Sequence, residues 1–359
     1  MFYHRYGAKV FTPICWFICL IACISCERES YPNATLFTRD DFPRKVLLKG
    51  EILALDSLWM VRDICVRDSI LVVTEVQRSP FVRLYNVRNG HKIGAYISAG
   101  RGPDELAACS QFQIVGDWIW AIDITQGKYL KYKIKEPFEA SFEKPVDRVI
   151  TKGLFLFYPF VFDSNRVAGN GQSTGKLLTF YNLEKQEMEA NIDIPYPVYT
   201  DGYDYDIVKH RSFEHRMAAD EDHIYVAYCY TDLIDIYDKD GSLVKRLFGP
   251  DHFKPDYSLF GSETQGFMAR PGEKAKFSYY SPVMTVDGLM VLYDGALQKE
   301  RNWLLNQLFL FSPSGVPLVE FNLDSPIIKF CVDDSAKRIY GLTDTPDYQV
   351  ICFDYGASL

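Results

Sequence analysis

The stretch Arg67-Asp68-Ser69-Ile70-Leu71-Val72-Val73 joins a polar turn to an apolar strand, and the same combination recurs along the chain. Asp, Asn, Gly and Ser favour turns, whereas β-branched and aromatic residues favour strands. The further copies are Gly116–Ala121, Asp163–Ala168, Glu221–Val226, Val286–Val291 and Asp334–Tyr340. Their starting positions are about 49, 47, 58, 65 and 48 residues apart, which is close to a fixed period with two insertions.

Each copy is followed by a second alternating strand. These second strands are Val82–Asn86, Tyr129–Tyr132, Leu178–Asn182, Leu233–Asp238, Leu308–Ser312 and Val350–Asp354. A period of about 40 to 50 residues is typical of propeller blades, because a four-stranded meander buries its two faces only by stacking against neighbours. We therefore predict an all-β, six-bladed β-propeller with four-stranded antiparallel blades over residues 43–359.

The last copy ends at Phe353-Asp354 and lacks an outermost strand. Lys45-Val46-Leu47-Leu48, near the N-terminus, is the apolar segment that we expect to supply it. The prediction is a ring closed by an N-terminal strand, which removes sheet edges that invite aggregation.

The composition excludes several classes of protein. The chain has 359 residues, 48% of them hydrophobic, so it can bury a large core and is not disordered. Its formal net charge of -8 provides no electrostatic footprint for a phosphate backbone, and no nucleic acid is expected as a partner.

The N-terminus has the pattern of a secretory signal. His4, Arg5 and Lys9 precede an apolar run over residues 10–22, which is too short to span a bilayer. We assign residues 1–22 to a signal peptide and residues 23–42 to a tether.

Leu20-Ile21-Ala22-Cys23 resembles a bacterial lipobox, which predicts lipidation of Cys23. Cys26 is the alternative, because Glu27 and Glu29 after it resemble the surface-export signal of Bacteroidetes lipoproteins. A third possibility is an ordinary signal peptide with incidental cysteines. The expected location is the bacterial cell envelope, with a lipid anchor in the membrane and the outer membrane favoured over the inner.

Gly100-Arg101-Gly102-Pro103-Asp104-Glu105 resembles the G-R-G-P-x-E signature of six-bladed β-propeller lipoproteins of Bacteroides and relatives, the TolB-like or NHL-like group. With the lipobox and the six copies, the resemblance spans nearly the whole chain, and it implies fold and location but no activity. We expect Gly100 and Gly102 to adopt backbone angles closed to other residues. We also predict that Arg101, Asp104 and Glu105 contribute to a binding site on one face of the disc.

The resemblance raises a second possibility, because several six-bladed propellers are enzymes that hold a metal in the central channel. The matching positions are Asp63, Gln111 or Gln113, Tyr158, His215 and Tyr280. Only Asp63 and His215 are strong ligand types, and a hard cation takes about six oxygen donors, so we predict no metal and no cofactor.

No catalytic signature is present in the sequence. There is no G-x-S-x-G elbow and no phosphate-binding glycine loop, and we assign no catalytic residue. The cysteines after residue 26 are far apart within apolar runs, so we expect buried free thiols; they are Cys65, Cys109, Cys229, Cys331 and Cys352.

Two aromatic insertions, residues 195–216 and 250–282, account for the longer intervals. We expect them to be loops on the disc face, with Tyr203, Tyr205, His215, Arg270 and Tyr280 contributing to binding, since tyrosine and arginine are enriched at binding hot spots. An alternative is that these aromatics pack onto the propeller as a small secondary core.

The sequence therefore predicts a lipid-anchored binding or scaffold module, in preference to an enzyme, that presents loops to an envelope protein or a glycan. The alternatives are a metal-assisted hydrolase or lyase with its site in the channel, and a structural subunit that exposes an apolar patch.

Overall fold

The computed structural model describes residues 31–151, 154–171, 175–194, 206–300 and 304–358. Within these ranges it has 28 β-strands and one α-helix. Four short 3-10 helices are Arg39–Asp41, Phe138–Phe142, Gln298–Glu300 and Gly356–Ser358. The predicted signal peptide and both candidate lipidation sites lie outside the described residues.

The strands form six blades, preceded by three N-terminal strands: β1 (Thr35–Leu36), β2 (Arg44–Leu48) and β3 (Gly50–Leu53). Blade 1 consists of β4 (Val61–Arg67), β5 (Ile70–Glu75), β6 (Val82–Asn86) and β7 (Lys92–Tyr96). Blade 2 consists of β8 (Gln111–Val115), β9 (Trp118–Asp123), β10 (Lys128–Lys133) and β11 (Asp147–Ile150). Blade 3 consists of β12 (Phe157–Val161), β13 (Arg166–Gly171), β14 (Lys176–Asn182) and β15 (Glu187–Ile192).

The second half of the ring carries the insertions. Helix α1 (Asp206–Ser212) precedes blade 4, which consists of β16 (His215–Ala219), β17 (His223–Tyr228), β18 (Leu233–Asp238) and β19 (Leu243–Phe248). A separate hairpin, β20 (Tyr257–Ser262) and β21 (Gly266–Pro271), follows it. Blade 5 consists of β22 (Tyr279–Thr285), β23 (Gly288–Tyr293), β24 (Leu305–Phe311) and β25 (Pro317–Ile327). Blade 6 consists of β26 (Lys329–Asp333), β27 (Arg338–Thr343), β28 (Gln349–Asp354) and β3.

The six-bladed prediction is confirmed. The repeated turn-and-strand copies of the sequence are the second strands of the blades, and the alternating strands after them are the third strands. The core lies between blades, as the stacking argument requires: Val72 of blade 1 and Ile119 of blade 2 share one buried cluster, and Leu71 of blade 1 and Tyr340 of blade 6 share another.

Residues 35–53 form an N-terminal strap along the outer edges of three blades. β1 pairs in parallel with β19, β2 pairs in parallel with β25, and β3 pairs antiparallel with β28. The closing strand is thus Gly50–Leu53, and the prediction that Lys45–Leu48 completes the last blade is wrong. That segment instead adds a fifth strand to blade 5, because the chain runs along blade 5 before it reaches blade 6.

The strap also corrects the boundary of the predicted tether. Phe37 and Phe42 are 4% and 3% exposed and belong to the cluster between blades 4 and 5. These two rings are removed from water only by packing against the blades. Residues 35–42 therefore belong to the propeller rather than to the tether. One compact unit accordingly extends from Thr35 to Leu359.

The links between successive blades emerge on one side of the disc. In an antiparallel meander, the link from an outermost strand to the next innermost strand lies at the same end as the link between second and third strands. We call this side the connecting face. It carries the Gly100–Glu105 loop, α1 and the β20–β21 hairpin.

The five described cysteines after residue 30 are free thiols, three of them buried, in line with the expectation from the sequence. Across the described ranges, helices are too short or too polar to traverse a lipid bilayer.

Candidate functional site

A cavity of about 550 Å³ lies on the propeller axis, lined by all six innermost strands, β4, β8, β12, β16, β22 and β26. Each of these strands enters from the connecting face, since each follows a link from the preceding blade. The first residues of the strands therefore form the mouth of the channel on that face.

The lining changes character with depth. Polar residues line the mouth in every blade: Arg62, Asp63, Gln111, Tyr158, Arg216, Tyr280, Ser281 and Lys329. Apart from Gln113, the next inward-facing positions are apolar or thiols: Cys65, Phe160, Ala218, Val283 and Cys331. Because side chains alternate along a strand, these two sets are successive rows on the same face. The channel thus has a polar mouth above an apolar interior.

Three of the six innermost strands are bulged at the mouth. The pairing register shifts between Val61 and Asp63 in blade 1, between Phe157 and Phe160 in blade 3, and between Tyr280 and Val283 in blade 5. The innermost strands of blades 2, 4 and 6 pair with their neighbours without such a shift.

The bulges place residues in unusual backbone conformations. Tyr158 has φ of 50° and Ser281 has φ of 49°, values in the left-handed region that non-glycine residues rarely adopt. Bulges of this kind re-aim side chains and are common next to binding and active sites. Here they turn Arg62, Tyr158 and Ser281 toward the cavity.

Ion pairs and stacking order the cations at the mouth. Lys329 Nζ lies 2.9 Å from Asp63 Oδ1, and both side chains are partly buried. The Arg216 guanidinium lies 3.3 Å from the centre of the Tyr158 ring and also donates to Glu214 Oε1 at 3.3 Å. Burial raises the pKa of Tyr158, so the ring carries a neutral hydroxyl at neutral pH.

Arg62 is the cation that remains available. Its side chain is exposed, and its Nε donates to the carbonyl of Ser110 at 3.4 Å. The lining therefore holds three cations, Arg62, Arg216 and Lys329, against one carboxylate, Asp63.

The donor set of the channel does not fit a metal ion. Among the described residues, no three His, Cys, Asp or Glu side chains lie close enough together to hold one. Asp63 is paired with Lys329. His215, the other predicted ligand, is fully buried inside blade 4, with Nδ1 2.9 Å from the carbonyl of Phe213. Burial lowers the pKa of His215 to about 4. Because successive side chains of β16 point to opposite faces, the next residue, Arg216, lines the channel instead.

The predicted Gly100–Glu105 loop is held by one of its own side chains and by two from blade 2. Glu105 Oε2 accepts a hydrogen bond from the Gly102 amide at 2.8 Å, and Lys128 Nζ donates to the carbonyls of Gly102 and Glu105 at 2.7 and 2.6 Å. Asp104 pairs with Arg148 on β11, and this contact holds the pKa of Asp104 below its usual range. Arg101 is exposed.

The expected reason for the two glycines is wrong. Neither Gly100 nor Gly102 has a positive φ. A Cβ atom on Gly100 would lie 1.8 Å from Glu105 Oε2, and one on Gly102 would lie 3.0 Å from it. The glycines therefore make room for the carboxylate that closes the loop.

The second insertion forms a raised hairpin with a core of its own. Val208 of α1 shares a buried cluster with the aromatic side chains of Tyr230, Tyr257 and Phe277, so part of the aromatic content packs inward. On the outward face of the hairpin, Phe260 and Met268 are directly paired and are 50% and 58% exposed.

Arg270 lies on the same face as this pair. Its guanidinium is 5.1 Å from the centre of the Phe260 ring. The predicted binding residues thus fall into separate places: Tyr280 in the channel, Arg270 on the hairpin, and Arg101, Asp104 and Glu105 in their loop. Tyr203 and Tyr205 lie outside the described residues.

Sequence reasoning missed Arg62, Arg216 and Lys329. A signal for them exists, because each is a charged residue at the start of a short apolar run that comes just before a repeated turn. Aligning the six copies upstream of the turn, rather than downstream, would have placed the three cations in one ring.

These observations define the protein as a six-bladed propeller with a polar channel mouth. The model of the TolB-like 6-blade propeller-like family matches residues 41–335, and the chain belongs to that family. No curated protein matches the sequence.

Two solved structures are similar to this chain, and the first of them supports the fold. A member of the DUF4221 family from Bacteroides vulgatus is 9% identical, with a TM-score of 0.52, over 86% of this chain and 95% of that one. The RRP9 WD40 repeats are 10% identical, with a TM-score of 0.45, over 85% of this chain and 96% of that one.

Proposed function

We propose that this protein is a lipid-anchored binding module of the bacterial cell envelope, and that it presents the β20–β21 hairpin on its connecting face to a protein partner. The propeller supplies a rigid platform, and the six-bladed fold is consistent with a binding or scaffold role. The outward face of the hairpin carries the proposal.

That face has the chemistry of a protein contact. Phe260 and Met268 expose about half of their surface although Tyr257, on the opposite face of the same hairpin, is buried. Aromatic and methionine side chains are enriched at protein interfaces, and methionine adapts to varied apolar partners. Arg270 beside Phe260 adds a charged group that can pair at the rim. This combination favours a protein over a glycan. An aromatic platform that binds a glycan would have more hydrogen-bonding groups around it.

Photo-crosslinking in the native envelope tests the hairpin. p-Benzoylphenylalanine in place of Met268 should give a discrete, protease-sensitive adduct. The control position is Val286, which is 72% exposed in the turn between β22 and β23 and therefore on the opposite side of the disc. The adduct should also weaken when Phe260→Ser is introduced. An adduct that yields no peptides of a second protein by mass spectrometry would identify a glycan, and equal yields at both positions would refute the proposal.

Metabolic labelling with an alkyne fatty acid tests the anchor separately. We expect Cys23→Ala to abolish the label and Cys26→Ala to retain it. The reverse pattern would move the anchor to Cys26, and an unlabelled wild-type chain would refute lipidation.

A further inference from the structure

We propose that the channel mouth binds a small amphiphilic anion, a molecule with a carboxylate or similar anionic group and an apolar body. This site is separate from the hairpin and involves a small molecule rather than a protein. The cavity volume of about 550 Å³ lies within the range of roughly 300 to 1,000 Å³ that small-molecule sites occupy.

The charge at the mouth selects the anion. Lys329 is matched by Asp63, and Arg216 shares Glu214 with Arg211. Arg62 has no carboxylate partner among the described residues, so the mouth carries a surplus positive charge. Its backbone adjoins the Lys329–Asp63 pair, since Lys329 Nζ also lies 3.4 Å from the carbonyl of Arg62. A planar guanidinium is suited to two parallel hydrogen bonds with a carboxylate.

A buried amide points to the same place. The Oε1 atom of Gln111 is buried and has no hydrogen-bond partner among the described residues, although the residue lines the cavity. Buried polar groups are nearly always satisfied, so an unpaired amide among the lining residues is consistent with a hydrogen-bonding ligand in the cavity. The NH₂ group of an amide donates hydrogen bonds to anionic oxygens.

The interior selects the apolar body. Below the mouth the lining is Phe160, Ala218, Val283, Met284 and Cys331, with few groups that could hydrogen-bond to a polar ligand. An inorganic anion would leave this volume unfilled. A molecule that is neutral throughout would leave the charge of Arg62 without an anionic partner.

The arrangement of the backbone supports a built site. Among the six innermost strands that the structure describes, those of blades 1, 3 and 5 are bulged at the channel mouth, and two of these bulges hold residues at positive φ. Strain of this kind is unfavourable and persists where the surroundings or a function require it. The inner strands of the other three blades show that the fold does not need it.

Matched probes test the proposal by isothermal titration calorimetry on the purified processed protein. The probes are 1-naphthaleneacetate and its neutral isostere 1-naphthaleneacetamide, which differ only in the anionic group. We expect the acid to bind at least about tenfold more tightly than the amide.

Two arginine variants on one strand provide the control. Arg62→Gln should weaken binding of the acid about tenfold and leave the amide unchanged. Arg67→Gln, at the far end of β4 where its Nη1 donates to the carbonyl of Gly116, should leave both unchanged. Both arginines are at least partly exposed, so both variants should fold, which thermal melting checks. Equal affinities for the two probes, equal effects of the two variants, or the absence of binding by the acid at millimolar concentration would each overturn the proposal.

Discussion

Substituting Phe42→Ala should loosen the N-terminal strap. The ring of Phe42 is 3% exposed, stacks on Phe309 at 4.8 Å and meets Phe311 edge-on at 5.4 Å. Removing the ring from water contributes about 2 to 3 kcal/mol, and the cavity left behind raises the cost of truncation to about 3 to 5 kcal/mol. We therefore expect the free energy of unfolding to fall by about that amount.

The assay is urea denaturation followed by tryptophan fluorescence, with the free energy taken from the midpoint and slope. Leu47→Ala is the matched control, because Leu47 lies in the same strap but is 65% exposed. Its effect should stay within about 0.5 kcal/mol. If the two variants shift the midpoint equally, the strap is not held by its buried rings and the reasoning fails.

Two further predictions concern buried charges. Asp235 accepts two hydrogen bonds from Arg246, at 2.7 and 2.8 Å, in a fully buried pair. Asp235→Asn should therefore lower the free energy of unfolding by about 3 to 5 kcal/mol in urea titrations. Asp117→Asn, in the exposed pair with Lys133, should leave the midpoint in place, and similar shifts in the two variants would contradict the prediction. Burial lowers the pKa of His215 to about 4, so between about pH 6.5 and 4 the unfolded chain binds a proton that the folded chain does not. The free energy of unfolding should therefore fall by up to about 1.4 kcal/mol per pH unit as the pH drops through that window. Urea titrations at pH 4 to 7 should show a shallower dependence in His215→Gln, and parallel curves for variant and wild type would count against the assignment.

The fold was predictable because the second and third strands of each blade are self-contained. Their apolar alternation and the turns between them depend on neighbours in sequence, as in β17 and β18. The closing strand was misplaced because its partners are remote. Lys45–Leu48 and Gly50–Leu53 are adjacent and both pair, and only the path of the chain along blade 5 decides which of them reaches blade 6.

The channel was predictable in part. Asp63, Gln111, Gln113, Tyr158 and Tyr280 line it as the sequence suggested. His215 does not, because a shift of one residue along a strand reverses the direction of the side chain. Each bulge adds a residue to one strand only, and the bulges turn Arg62, Tyr158 and Ser281 inward. The alternation of polar and apolar residues in the sequence does not indicate where such an extra residue is inserted.

The strap has a consequence for how the chain reaches its folded state. β1, β2 and β3 are made first, yet each pairs with a strand roughly 200 to 300 positions later in the sequence. Contacts of such long sequence separation form slowly, whereas the meanders of blades 1 to 3 are local. During synthesis the blades of the first half of the ring can form while β1, β2 and β3 are still unpaired. Closure of the ring then requires β28, which is synthesised after the other blade strands described here.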